Sequence, residues 1–299
     1  MNWSGPQQQG DHPIDALSRE SALSAMLSSH MAALNVVAGA CLEIDLAAGR
    51  VAAALAAGNV LHYAAAGSSG LMALADACEL PGTFGVAANQ VRICMAGGVP
   101  VNGVMPGDTE DGTDEAIAAA REMTAGDVAI VISASGTTPF AVAFAEAAIS
   151  QDNSVIAIAN VAGARLLEIA DVAVALPTGV EVIDGSTRLG AGTAQKVALN
   201  MMSTQAGILL GHVHDGLMVN LVPDNIKLRQ RAARIVMQIT SVTEDVAEEA
   251  LTRAGYNTKL AILIALGISP EIARTRLDGA SGRLSDCLPA ATRNTPPTI

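Results

Sequence analysis

Two short loops and two acidic positions hold the residue types of this chain that could do chemistry. The loops are Ala66-Gly67-Ser68-Ser69-Gly70 and Ser133-Ala134-Ser135-Gly136-Thr137-Thr138-Pro139. Each follows an apolar run and precedes an Ala-rich stretch, so each reads as a turn from a buried strand into a helix. Small residues there expose backbone N–H groups at a positive helix end, and Ser and Thr add hydroxyls. Together these suit a phosphate or a sugar hydroxyl. One such loop says little, because Gly and Ser fill any tight turn. Two in one α/β pattern point to a small-anion or sugar site at the carboxyl ends of the strands.

The carboxylates are Glu79 and Glu110. Glu79 follows the apolar segment Leu74-Ala75-Asp76-Ala77-Cys78 and stands just before Pro81. It is a candidate acid–base group, and equally a solvated residue at a helix end. Glu110 lies in Asp108-Thr109-Glu110-Asp111, where Thr113-Asp114-Glu115 also reads as the start of a helix. A third stretch, Gly179 to Lys196, is dense in Gly, Ser and Thr; Ser186 and Thr187 could reach a ligand, with Arg188 as the cation among these loops. Its plainer reading is a strand-to-helix connection. His212 and His214 have metal-ligand spacing, but they follow a predicted helix end, where capping is the simpler role.

The elements that must position these residues alternate. Strands are predicted near 58–65, 91–95, 127–133, 154–159 and 171–176. Helices are predicted near 69–78, 113–123, 138–150, 162–169 and 191–211. The pattern implies α/β architecture, a parallel three-layer sheet. Residues 13–57 read as N-terminal helices with Ser18 as a cap, and 58–223 as the α/β domain. After Pro223 a helical region runs to 288, with Asp224 as a cap, short helices over 243–254, 258–266 and 269–277, and Pro270 at a first helical position. Residues 1–12 and 289–299 read as tails.

Composition bounds the partners. The chain has 299 residues, of which 51% are hydrophobic and 2% aromatic, so the core must be built of Ala, Val, Leu and Ile. A net charge of -12 argues against nucleic acid as a partner, which needs clustered Lys and Arg. No uninterrupted apolar stretch reaches the ~18 residues of a membrane helix, and the first ten residues have neither the basic flank nor the apolar core expected of a signal peptide. The four cysteines are scattered and read as reduced residues of a cytoplasmic protein.

Taken together, Gly67-Ser68-Ser69-Gly70, Asp76 to Gly85, Ser133 to Pro139, Glu181 to Arg188, Ala191-Gly192-Thr193-Ala194-Gln195-Lys196, Asn200 to Thr204, Leu217-Met218-Val219 and Asn225 to Leu228 resemble the N-acetylmuramic acid 6-phosphate etherases. The resemblance runs from about Ile14 to Leu288 and implies the sugar isomerase (SIS) fold and a homodimer. It also implies a lyase, without cofactor or metal, that releases D-lactate from a ring-opened sugar phosphate. By that resemblance Glu79 matches the acid and Glu110 the base, the latter more loosely because Val104-Met105-Pro106-Gly107 departs from the usual pattern; Asp111 is the other candidate base. Ser68, Ser69, Gly70, Ser133, Ser135, Gly136, Thr138, Ser186 and Thr187 would bind the sugar phosphate. Leu71, Thr137 and Gly190 stand where the family carries cations, which points to a divergent lyase with a less anionic ligand. A non-catalytic sugar-phosphate sensor and an aldose–ketose isomerase are the alternatives.

Overall fold

The computed structural model describes residues 13–289. The tails expected over 1–12 and 289–299 fall, apart from Pro289, outside the described residues. Contacts divide the chain into two compact units. The first ends at Ala77 and resumes over Asn89–Ser203; the second comprises Cys78–Ala88 and continues from Thr204.

The first unit opens with a 3-10 turn, Ile14–Ala16, then α1 (Arg19–Ala38) and α2 (Cys41–Ala56). Ser18 caps α1 as expected, its hydroxyl accepting the Ser21 N–H at 3.2 Å. Strands and helices then alternate: β1 (Leu61–Ala65), α3 (Gly67–Phe84), β2 (Val91–Met95), α4 (Thr113–Ala120), β3 (Val128–Ser133), α5 (Pro139–Ile149), β4 (Ser154–Ala159), α6 (Arg165–Ile169), β5 (Val172–Ala175) and α7 (Gly190–Leu209). The five strands form one parallel sheet in the order β2-β1-β3-β4-β5.

The two faces of the sheet are filled differently. Ala64, Ala129, Ala157 and Ala159 lie on one face and pack with Phe140 and Phe144 of α5 and Leu166 of α6. Leu61, Ile130, Ile132, Ile156 and Ile158 alternate with them and point to the other. Small strand residues thus make room for two of the few aromatics. The core is aliphatic as composition requires, but its largest side chains are Tyr63, Phe140 and Phe144. Truncating Phe144 to Ala would cost about 3–5 kcal/mol.

The second unit takes the last part of α3 and the end of α7. It continues with the hairpin β6 (Val213–His214) and β7 (Leu217–Met218), then α8 (Ile226–Thr240), α9 (Glu244–Arg253), α10 (Thr258–Ala265), α11 (Pro270–Gly279) and α12 (Leu284–Cys287). Helix α10 is buried over Thr258–Ile264 and forms the centre of this core.

Three local expectations are corrected. Helix α3 does not stop near residue 78: it runs through Pro81, whose missing N–H costs one helical bond, and ends at Phe84. Asn225 rather than Asp224 caps α8, its side chain accepting the Leu228 N–H at 3.0 Å. His214 belongs to a hairpin strand rather than to a helix cap. One helix among the described residues, α1, is long enough and apolar enough on average to cross a membrane. The sequence expectation concerned unbroken runs, and α1 is interrupted by Ser24, Ser28, Ser29 and His30.

Candidate active site

All four strand-to-helix loops of interest leave the carboxyl ends of β1, β2, β3 and β5. In the first, α3 begins at Gly67 with φ +56, a left-handed conformation that glycine adopts freely. A Cβ on Gly67 would lie 2.5 Å from Oε1 of Glu110. The Glu110 carboxylate therefore rests directly on the first turn of α3. Its backbone is tied elsewhere, since the Phe140 N–H donates to the Glu110 carbonyl at 3.0 Å. Glu110 thus stands between the first turns of α3 and α5.

The β3–α5 loop is a cluster of hydroxyls. Ser133 Oγ lies 2.7 Å from Thr138 Oγ1 and 3.4 Å from Ser135 Oγ, and it accepts the Gly136 N–H at 3.0 Å. Thr137 donates both its N–H and its hydroxyl to Ser135 Oγ, at 3.2 and 3.1 Å. Gly136, with φ +66, passes so close to Ala164 that a side chain there would collide with it. The loop backbone is therefore set in place before any ligand arrives, and it carries its hydroxyls clustered where an oxyanion could be recognised.

The 180–189 segment joins this region through one contact: Ser68 Oγ lies 3.0 Å from Thr187 Oγ1. Glu181 in the same segment is 6% exposed and accepts the N–H groups of Gly190 and Ala191, each at 2.8 Å. A buried carboxylate of the protein itself thus sits on the first turn of α7, where helix dipole and N–H donors favour it.

The structure therefore brings together Ser68 with Thr187, Glu110 with the start of α3, and Ser133 with Ser135, Gly136 and Thr138. Ser69 is 4% exposed, turned into the core rather than outward, and Gly70 packs against Met95. Ser186 bonds through its N–H to Ile183 O at 3.0 Å. Glu79 lies on an exposed face of α3, in the second unit.

Sequence reasoning missed a buried cluster one turn before Glu79. Asp76 is 5% exposed and accepts the Tyr63 hydroxyl at 2.7 Å, Asn200 Nδ2 at 2.9 Å and Ser203 Oγ at 2.9 Å. Burial and the Asp76 charge push the Tyr63 hydroxyl well above its ordinary range, so it remains a donor. This cluster fastens α3 to β1 and α7 within the first unit. A carboxylate inside an apolar helical segment was the signal that could have revealed it.

Comparison with known proteins agrees with this architecture. A model of the SIS domain matches residues 29–160. The N-acetylmuramic acid 6-phosphate etherase of Symbiobacterium thermophilum is 43% identical over 224 residues, covering 75% of this chain and 73% of its own. That of Deinococcus radiodurans is 34% identical over 281 residues, covering 92% and 91%. Among solved structures, a protein of E. coli CFT073 is similar in fold, with a TM-score of 0.50 at 15% identity over 67% of this chain and 97% of that one. With identities of this order over most of its length, the chain belongs to the N-acetylmuramic acid 6-phosphate etherase family, enzymes of the lyase class with an SIS fold.

Proposed function

We propose that this chain is a sugar-phosphate ether lyase that cleaves the D-lactyl ether of N-acetylmuramic acid 6-phosphate, or of a related, less anionic sugar ether. The products are N-acetylglucosamine 6-phosphate and D-lactate. The C1 aldehyde of the open-chain sugar acidifies the C2 proton. Glu110 takes that proton, the C3–O bond breaks, and Glu79 protonates the departing lactate oxygen. Water then adds across the C2–C3 double bond, its oxygen at C3 and a proton at C2. The Ser133, Ser135 and Thr138 hydroxyls take the phosphate, on a loop whose shape Gly136 holds by donating its N–H to Ser133 Oγ. Ser68 and Thr187, whose hydroxyls meet at 3.0 Å, serve the sugar with Ser186, while Ser69 and Gly70 shape the turn beneath them.

The observation that most supports this reading is the seat of Glu110, its carboxylate on Gly67 and its carbonyl on the Phe140 N–H. It stands beside both loops, and among the described residues no ion pair engages its carboxylate. Leu71, Thr137 and Gly190, which leave the first turns of α3, α5 and α7 without a cation, favour the less anionic of these two substrates, and turnover of N-acetylmuramic acid 6-phosphate at ordinary enzyme rates would overturn that preference.

The test is incubation with N-acetylmuramic acid 6-phosphate in deuterated water, following lactate release and C2 labelling by NMR. Glu110→Gln is expected to remove both, lowering kcat by about 10²–10⁴-fold, the usual range for a general base. Glu79→Gln is expected to stop lactate release while C2 exchange persists. Binding without exchange in the wild type would favour a sensor, and interconversion of aldose and ketose without lactate an isomerase.

The reading includes a cytoplasmic homodimer. Leu23, Leu27, Met31 and Leu34 form a stripe on α1, exposed by 66%, 62%, 57% and 44%, which a second copy would cover. Leu27→Glu is expected to yield a monomer by light scattering; an unchanged mass would remove α1 from the interface.

A further inference from the structure

On the sheet face covered by α4 and α5, a cavity of about 240 Å3 adjoins the edge strand β2, lined among others by His62, Arg92, Cys94, Glu115, Glu122 and Phe140. None of the Ser/Gly loop residues assigned to the sugar phosphate lines it. His62 is 4% exposed, and its Nε2 lies 3.3 Å from Oδ2 of Asp127. Asp127 also accepts the N–H groups of Val60 and Thr124, each at 2.8 Å, and the Thr124 hydroxyl at 3.2 Å. Burial opposes its ionisation, yet these donors hold its carboxyl below the usual range. An ionised Asp127 has only lone pairs to offer, so the hydrogen of the imidazole sits on Nε2. Nδ1 is then a bare acceptor, buried and without a hydrogen-bond partner among the described residues.

The groups around it complete a lining biased toward acceptance. Glu122 and Arg92 both act electrostatically on His62 and on Cys94. Burial and Glu122 push the Cys94 thiol up to about 11, so it stays neutral. Both oxygens of Glu115 lie 3.2 Å from the Gly97 N–H. Among the described residues no group of three or more His, Cys, Asp and Glu is placed to hold a metal ion.

We propose that this cavity binds a small molecule bearing a protonated amine, its ammonium donating to His62 Nδ1 and Glu122, with Arg92 meeting a hydroxyl or carboxylate on the same molecule. An ammonium brings three donors and no acceptor, the complement of a lone pair and two carboxylates. An anion would meet those carboxylates with a single cation in its favour. The volume lies below the roughly 300–1,000 Å3 of ordinary ligand pockets, which limits the guest to a few heavy atoms. Phe140 both lines this cavity and holds the Glu110 carbonyl, so the site adjoins the segment that carries the proposed base. The binding itself does not depend on the reaction proposed above.

The test is titration of the full chain, with its histidines labelled in 15N, with ethanolamine, ethylene glycol and acetate at neutral pH. Ethanolamine is expected to shift the His62 Nδ1 resonance saturably, while the other two leave it in place. Glu122→Gln, at an exposed position that leaves folding intact, is expected to weaken the ethanolamine effect at least tenfold. No saturable shift, an equal shift with glycol or acetate, or undiminished binding by the Glu122→Gln protein would overturn the proposal.

Discussion

At the first turn of α5 the neighbouring side chains are hydroxyls; at the first turn of α7 the neighbour is the carboxylate of Glu181. Both helices offer oriented N–H groups at a positive end, and both follow small-residue loops. At α7 the buried Glu181 takes the Gly190 and Ala191 N–H groups, so this end is answered from within the chain. At α5 the hydroxyls of Ser133, Ser135 and Thr138 bond mostly to one another and to the loop backbone, neutral partners that can turn toward an incoming anion. The same local physics therefore yields a structural clamp in one place and a receptive loop in the other. The difference is whether the acceptor is a fixed charge or a set of rotatable hydroxyls.

The hardest blow to this contrast is Glu181→Ala. It leaves two N–H groups without their charged acceptor and is expected to cost about 3 kcal/mol, seen as a fall in Tm of several degrees. If Tm held and only KM rose, Glu181 would be a ligand group and the contrast would reverse. Next is Thr137→Arg, which places a cation beside the hydroxyl loop. It is expected to lower KM for N-acetylmuramic acid 6-phosphate about tenfold, the worth of one charge-assisted contact. An unchanged KM would move the phosphate away from α5. Smallest is Ser133→Ala, expected to raise KM by about fivefold, from the loss of a single neutral hydrogen bond of about 1 kcal/mol. The same changes in Tm and in KM for Glu181→Ala and Ser133→Ala would show the two ends to be interchangeable.

Much of this was written in the order of the residues. The strands at 91–95 and 154–159 fall where apolar runs put them, because a parallel strand buried on both faces has almost no freedom of composition. The two Ser/Gly loops were visible for a similar reason, since a left-handed turn at Gly67 leaves few residue choices. What escaped was set by distant partners. Ser68 and Thr187 are 119 positions apart, and Asp76 and Ser203 are 127 apart. No local pattern says that Glu181 would turn inward or that Ser69 would be buried. Pro81 misled in a different way: it is a helix breaker by its chemistry, but α3 continues past it, and Glu79 stands within the helix rather than at its end.

Gly67 is a point of vulnerability in this chain. The space where its side chain would be is the space in which the Glu110 carboxylate rests. One added methyl group would evict that carboxylate while altering no charge, no donor and no acceptor. A Gly67→Ala change is therefore expected to displace the proposed base from its seat, and to act on turnover through position alone.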